Sequence, residues 1–206
     1  EATFGNDILQ IGAEYTLVDG RKFVINRSDF FLTDVRLIAD DGSETELFEV
    51  IQVDFTDAPG GKKYEVEGVK TINFESIRFN LGLNESLNKT SPVDYEASSP
   101  LNNSGYYWEG WSSYIFSKTE GKVENADGDI VDPWIYHTGT DPLMKEVTLP
   151  VDRIFSHDED NELRIAFDHQ GLFQKDGEAI DLGINHDPST TLNEFITRMS
   201  ESFTVK

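Results

Sequence analysis

Apolar and polar residues alternate along most of this chain. Phe31, Thr33, Val35, Leu37 and Ala39 fall on one side of a strand, with Leu32, Asp34, Arg36 and Ile38 on the other, and Asp40, Asp41 and Gly42 then supply a turn. Ile51, Val53 and Phe55 share one face of a second strand that stops at the breaker Pro59, Gly60, Gly61. Tyr64 and Val66 alternate with Glu65 and Glu67 and predict a further strand. The same period of two recurs in Ile77, Phe79, Leu81 and Leu83, in Val147 and Leu149, and in Leu163, Ile165 and Phe167. Many strands separated by turn signals predict an all-β fold, an antiparallel β-sandwich or barrel-like domain. Two segments break the pattern. Residues 84–105 are rich in Asn, Ser and Pro and predict a long loop excursion, with a helical turn near Val93–Ala97. Near the end, Asp187 and Pro188 read as N-cap and first helical position. Leu192, Phe195, Ile196, Met199 and Phe203 then fall on one face of a C-terminal helix, a core-packing stripe. Nothing repeats and no linker is visible, so residues 1–206 read as a single domain.

Composition supports a packed core, because 37% of the 206 residues are hydrophobic and 12% aromatic. The net charge of −22 argues against nucleic acid, since no basic stripe exists to displace counterions from phosphates. It also disfavours docking on an anionic membrane surface. No cysteine is present, which removes disulfides, thiolate metal sites and cysteine nucleophiles. The longest apolar runs, such as Phe30, Phe31, Leu32, are far too short for a transmembrane segment. The chain starts at Glu1 without an initiator Met. The expectation is a removed signal segment and an extracytoplasmic protein, in the periplasm or at the cell surface, with room for a lipid anchor upstream of Glu1.

Few residues carry recognisable chemistry. There is no Gly-x-Ser-x-Gly elbow and no glycine-rich phosphate loop between strand and helix. The 39 acidic residues allow so many carboxylate pairs that no single one is informative. The expectation is therefore that the protein is not an enzyme. Asp127, Asp129 and Asp132, and Asp158, Glu159, Asp160 and Glu162, concentrate oxygen donors and keep calcium open as a minor alternative, although such acidic turns are more often solvated surface. The four histidines discriminate better because they are few. His157 and His169 lie in turn sequence, His137 ends an alternating run with Trp134 and Tyr136, and His186 precedes the C-terminal helix. Two imidazoles and one further ligand can form a copper site.

The order of motifs between residues 79 and 140 is more specific. Phe79, Gly82, Leu87 and Asn88 lead to Pro100, Leu101, and Gly105, Tyr106, Tyr107, Trp108. Trp111, Tyr114, Phe116, Glu120 and Gly121 follow, and Tyr136, His137 and Gly139 close the series. This order resembles the MbnP-like family of methanobactin-associated, copper-binding proteins, and Phe31–Leu37 with Asp41 and Gly42 resembles its first hairpin. The resemblance implies a non-enzymatic, metal-binding protein of the cell envelope, with copper held through histidines and a di-haem peroxidase-type partner. In some members a tryptophan is oxidised to kynurenine and joins the metal. Carried over by position, His137 matches the family's Phe-His-x-Gly histidine, Trp108 the tryptophan of its Gly-Met-Tyr-Trp segment, and His186 a histidine before the final helix. Tyr106 stands where that family usually has Met, and Glu120 with Gly121 where it has a turn.

A second reading stays open beside copper. Tyr106, Tyr107, Trp108 and Trp111 on a long loop could form an aromatic surface for a carbohydrate, a peptide or an adhesion partner, without metal. Ordinary burial is the simple alternative for Trp108, Trp111 and Trp134. Exposure of the rings discriminates these readings, and the distance between His137 and His186 tests the metal, because imidazoles sharing one ion must approach closely.

Overall fold

The computed structural model describes residues 1–69, 73–156, 160–186 and 190–206. Its main strands are β1 (Ala2–Phe4), β2 (Lys22–Ala39), β3 (Glu44–Asp54), β4 (Asn73–Leu81), β5 (Tyr107–Trp108), β6 (Ser113–Glu124), β7 (Ile130–Gly139), β8 (Lys145–Ile154), β9 (Ile165–Asp168), β10 (Ile184–Asn185) and β11 (Phe203–Val205). Three α-helices accompany them, α1 (Glu85–Asn88), α2 (His169–Phe173) and α3 (Thr190–Glu201). The large sheet runs β8-β4-β2-β6-β7-β10, and β3 lies on the other edge of β2. A smaller sheet runs β11-β9-β1.

Strand β2 is 18 residues long and serves two neighbours on one edge. Phe23–Phe30 pairs with β6, and Leu32–Ala39 pairs with β4 after register shifts. Asp34 takes a positive φ of 52° inside the register shift of the β4 pairing, between Thr33 and Arg36. The strand bends there, and the sheet curls into a half-barrel. The expected β-sandwich or barrel-like class therefore holds. Most pairings are antiparallel, but β1 runs parallel to β9 and β10 parallel to β7.

Both faces of the sheet are covered. On the inner face Phe23, Ile25, Phe30, Trp134 and Tyr136 pack with Leu192, Phe195, Ile196 and Met199 of α3, and all are buried. Tyr136 stacks on Phe195 with ring centroids 4.2 Å apart. Burying side chains of this size contributes about 1.5–3 kcal/mol each. On the outer face Phe31, Tyr114 and Phe116 pack with Leu83, Leu87, Leu101 and Tyr106 of the excursion. The residues 84–105 are thus a cover over a second core. Covering both faces explains why Ser28 to Thr33 are buried without interruption. Gly82 begins the cover at φ +105°, and a Cβ there would sit 2.6 Å from the Phe116 ring. Only glycine fits both demands.

Three local expectations differ from the structure. Residues 61–69 form no strand. The Tyr64 hydroxyl donates to the Gln52 carbonyl at 2.6 Å and its ring meets Phe48 edge-on, so side chains rather than a ladder hold the segment. The excursion contains α1 and 3₁₀ turns at Pro92–Asp94, Pro100–Asn102 and Ser104–Tyr106, more than one helical turn. Phe203 leaves the helix, because α3 stops at Glu201 and Phe203 starts β11. Asp187 and Pro188 lie outside the described residues. Among the described residues no helix is long and apolar enough to cross a membrane.

Candidate metal centre

Strand β7 alternates. Trp134 and Tyr136 are fully buried in the inner core, which turns His137 to the outer face. Beside it, β10 runs parallel with Ile184 opposite Ile135 and Asn185 opposite Tyr136. The Ile135 amide donates to the Gly183 carbonyl at 2.8 Å and fixes this register. One step further along, His186 falls alongside His137. Their ring centroids are 5.0 Å apart, with planes at 61°. With metal–nitrogen bonds of about 2 Å, each centroid lies about 3.2 Å from a shared ion, and two rings at a near-tetrahedral angle are then about 5 Å apart. The pair fits copper, for which imidazole is a suitable donor. Among the described residues no group of three or more His, Cys, Asp or Glu side chains forms a metal site.

Trp108 closes one side. Strand β5 pairs with β6 through Tyr107 opposite Tyr114 and Trp108 opposite Ser113. A tight turn follows, in which the Trp111 amide donates to the Trp108 carbonyl at 3.0 Å and Ser112 takes φ 49°. The turn brings the Trp108 and Trp111 rings to 4.3 Å. Trp108 meets His186 edge-on at 5.4 Å. Both tryptophans are half-buried, whereas Trp134 is fully buried.

The opposite side is charged. Lys118 and Glu120 of β6 share the outer face with His137, and Arg27 and Asp29 of β2 lie across from Glu120 and Lys118. His137 Nε2 lies 2.8 Å from Glu120 Oε1. That bond, ahead of the opposing cost of burial, holds the Glu120 carboxyl below the usual range. Arg27 Nη1 is 3.9 Å from the same oxygen. Arg27 also donates to Asp29 at 2.5 Å and to the Tyr106 hydroxyl at 2.8 Å, and that hydroxyl donates to Asp29 at 2.7 Å. Burial pushes the Asp29 carboxyl up, against the pull of Arg27 and Tyr106. Burial pushes the Tyr106 phenol up as well, with Asp29 adding to it. Lys118 donates to the Gly105 carbonyl at 2.5 Å and lies 4.6 Å over the Tyr106 ring, and burial, then Arg27, push its ammonium down.

These positions sort the expected site residues. His137, His186 and Trp108 come together. Tyr106 does not belong to an exposed aromatic surface, because it is 4% exposed and its hydroxyl points into the charged cluster. Tyr107 packs edge-on against Tyr114 at 5.1 Å, and Trp111 remains beside Trp108. Glu120 and Gly121 form no turn but sit within β6, where a Cβ on Gly121 would meet the Val24 carbonyl and the Trp134 ring. No motif singles out Arg27, Asp29 or Lys118, and Glu120 was expected only as part of a turn. Their signal was charge at alternating positions in otherwise apolar strands.

The remaining candidates lie elsewhere. His169 is fully buried at the start of α2, with Nδ1 3.3 Å from the Thr3 carbonyl and Nε2 2.8 Å from the Ser28 hydroxyl. Burial pushes its pKa down to about 3. It is a neutral core residue. Asp127 and Asp129 sit in an exposed hairpin turn whose amides donate to Asn125 Oδ1 at 3.0 and 2.9 Å. Those backbone bonds hold the turn. His157, Asp158 and Glu159 lie outside the described residues.

The family model described as MbnP matches residues 1–192 of this chain. Among solved structures, the chain is similar to MbnP from Methylosinus trichosporium, at a TM-score of 0.57 and 15% identity, over 91% of this chain and 78% of that one. At that identity the likeness concerns the fold. No curated protein matches in sequence.

Proposed function

The chain belongs to the MbnP family, and from that premise we propose that it is a copper-binding, non-enzymatic protein of the cell envelope. His137 and His186 bind the metal, with Trp108 beside them. The family is associated with methanobactin systems, which makes copper the metal to test first. The observation that carries the reading is the histidine pair, 49 residues apart in sequence and 5.0 Å apart between ring centroids. A half-buried indole edge-on to one imidazole shields the pair on one side. His137 and His186 would each give an imidazole lone pair to a copper ion held there, and Trp108 would limit access of solvent and larger ligands. Oxidation of Trp108 to kynurenine, with peroxide as oxidant cleaving the indole C2–C3 bond and C2 leaving as formate after hydrolysis, would free an aryl amine next to His186. A di-haem peroxidase-type protein is the partner class that would carry out such an oxidation. The strongly acidic chain suits a partner with a basic face and an extracytoplasmic setting.

The net charge also attracts cations without any site, so the test must separate the two. Metal-free protein is titrated with Cu(II) at neutral pH against a competing chelator, in high salt. The expected result is one tightly bound equivalent, held much more weakly in His137→Ala. Absence of stoichiometric uptake by the unaltered protein would overturn the proposal. Intact-mass spectrometry decides the state of Trp108 separately, since an unmodified mass means an unoxidised tryptophan.

A further inference from the structure

The charged cluster behind His137 is larger than a metal-binding pair requires. A carboxylate only accepts hydrogen bonds, so the 2.8 Å contact of Glu120 Oε1 places the hydrogen on His137 Nε2. That choice leaves Nδ1 with the free lone pair. Glu120 is itself constrained, because Arg27 approaches the same carboxylate oxygen. Arg27 in turn closes a three-membered ring of bonds with Asp29 and Tyr106. Tyr106 lies two residues before Trp108, and Lys118 bonds the Gly105 carbonyl just ahead of it. One cluster thus touches both the strand that carries His137 and the segment that carries Trp108. A Met at position 106 could not make these bonds, since it lacks a hydroxyl.

We infer that Glu120 is a positioning residue that holds His137 as the Nε2–H tautomer and so selects Nδ1 as its metal-binding atom, with Arg27, Asp29 and Tyr106 as the clamp that fixes Glu120 and the Trp108 segment on one scaffold. The role of Nδ1 rests on the reading of His137 as a metal ligand; the tautomer does not. Metal-binding histidines characteristically donate their other ring N–H to such a carboxylate, and loss of the carboxylate typically weakens binding about 10–100-fold.

The test begins on metal-free protein, by nitrogen-15 imidazole spectroscopy at pH 8. His137 is expected as the Nε2–H tautomer, shifting to a mixture in Glu120→Ala. The His169 resonances serve as an internal control for an intact fold. Glu120→Gln, which keeps an acceptor oxygen and the side-chain length, is expected to stay closer to the unaltered protein and covers the case in which Glu120→Ala fails to fold. Tyr106→Phe keeps the ring but removes the clamp's hydroxyl, and is expected to loosen the tautomer preference partially. Cu(II) affinity is then measured, with an expected loss of about 10–100-fold in Glu120→Ala. An Nδ1–H tautomer in the unaltered protein, or a tautomer unchanged in Glu120→Ala, overturns the inference even if copper binds. Failure of the unaltered protein to bind copper, with the tautomer result as expected, sinks the metal reading and leaves Glu120's positioning role standing.

Discussion

His169 makes the stability of this fold depend on pH in a way that can be worked out. It is buried without a charged partner, between the Thr3 carbonyl and the Ser28 hydroxyl. The ring is neutral in the folded state, with a pKa of about 3 against about 6.5 in the unfolded chain. Below pH 6.5 the unfolded chain binds a proton that the folded protein refuses, so stability rises with pH across this window. The slope is about 1.4 kcal/mol per pH unit, and the full span of about 3.5 units comes to about 5 kcal/mol. Between pH 6.5 and pH 5.0 alone the loss is about 2 kcal/mol, a sizeable part of a typical domain stability. The assay is urea unfolding of the unaltered protein and of His169→Gln at half-unit steps from pH 4.5 to 8. Carboxylates titrate in both proteins and cancel in the difference. His169→Gln should be the less stable above pH 7, and its deficit should shrink by about 1.4 kcal/mol per unit below pH 6.5. A deficit that stays constant with pH, or a His169 that titrates near 6.5 in the folded protein, would refute the reasoning.

Three further outcomes follow from the packing. Gly121→Ala drives a methyl into the Val24 carbonyl and to 2.5 Å from Trp134, and chemical denaturation should show a loss of about 3 kcal/mol. Arg27→Met leaves the buried Asp29 without its cation, at a cost of about 3 kcal/mol by urea unfolding, and adding Asp29→Leu should recover most of it. Phe195→Ala removes the ring stacked on Tyr136 and should cost about 3–5 kcal/mol in the same assay, since both rings are fully buried. A loss below 1 kcal/mol in any of the three would show that the contact concerned yields more easily than the structure implies.

The strand framework was legible because burial imposes a period of two, and α3 because Leu192, Phe195, Ile196 and Met199 recur at helical spacing. Residues 61–69 misled for a physical reason. Tyr64 and Val66 alternate like a strand, but side-chain contacts to β3, rather than backbone pairing, hold the segment. The histidines could be nominated one by one, yet their meeting depends on a two-residue parallel pairing of β10 with β7. No local pattern announces a pairing that short. Tyr106 looked like part of a surface because aromatic side chains on a loop often are. Its burial becomes visible only once Arg27 and Asp29, 79 and 77 positions away, are brought beneath it.

The central claim is that His137 and His186 hold one copper ion together. Pulsed electron paramagnetic resonance of the protein loaded with one equivalent of Cu(II) counts the imidazoles bound to it. Two coordinated imidazoles are predicted in the unaltered protein, one in His137→Ala and one in His186→Ala. A copper signal without imidazole nitrogen, or one that keeps two imidazoles after either substitution, would contradict the account.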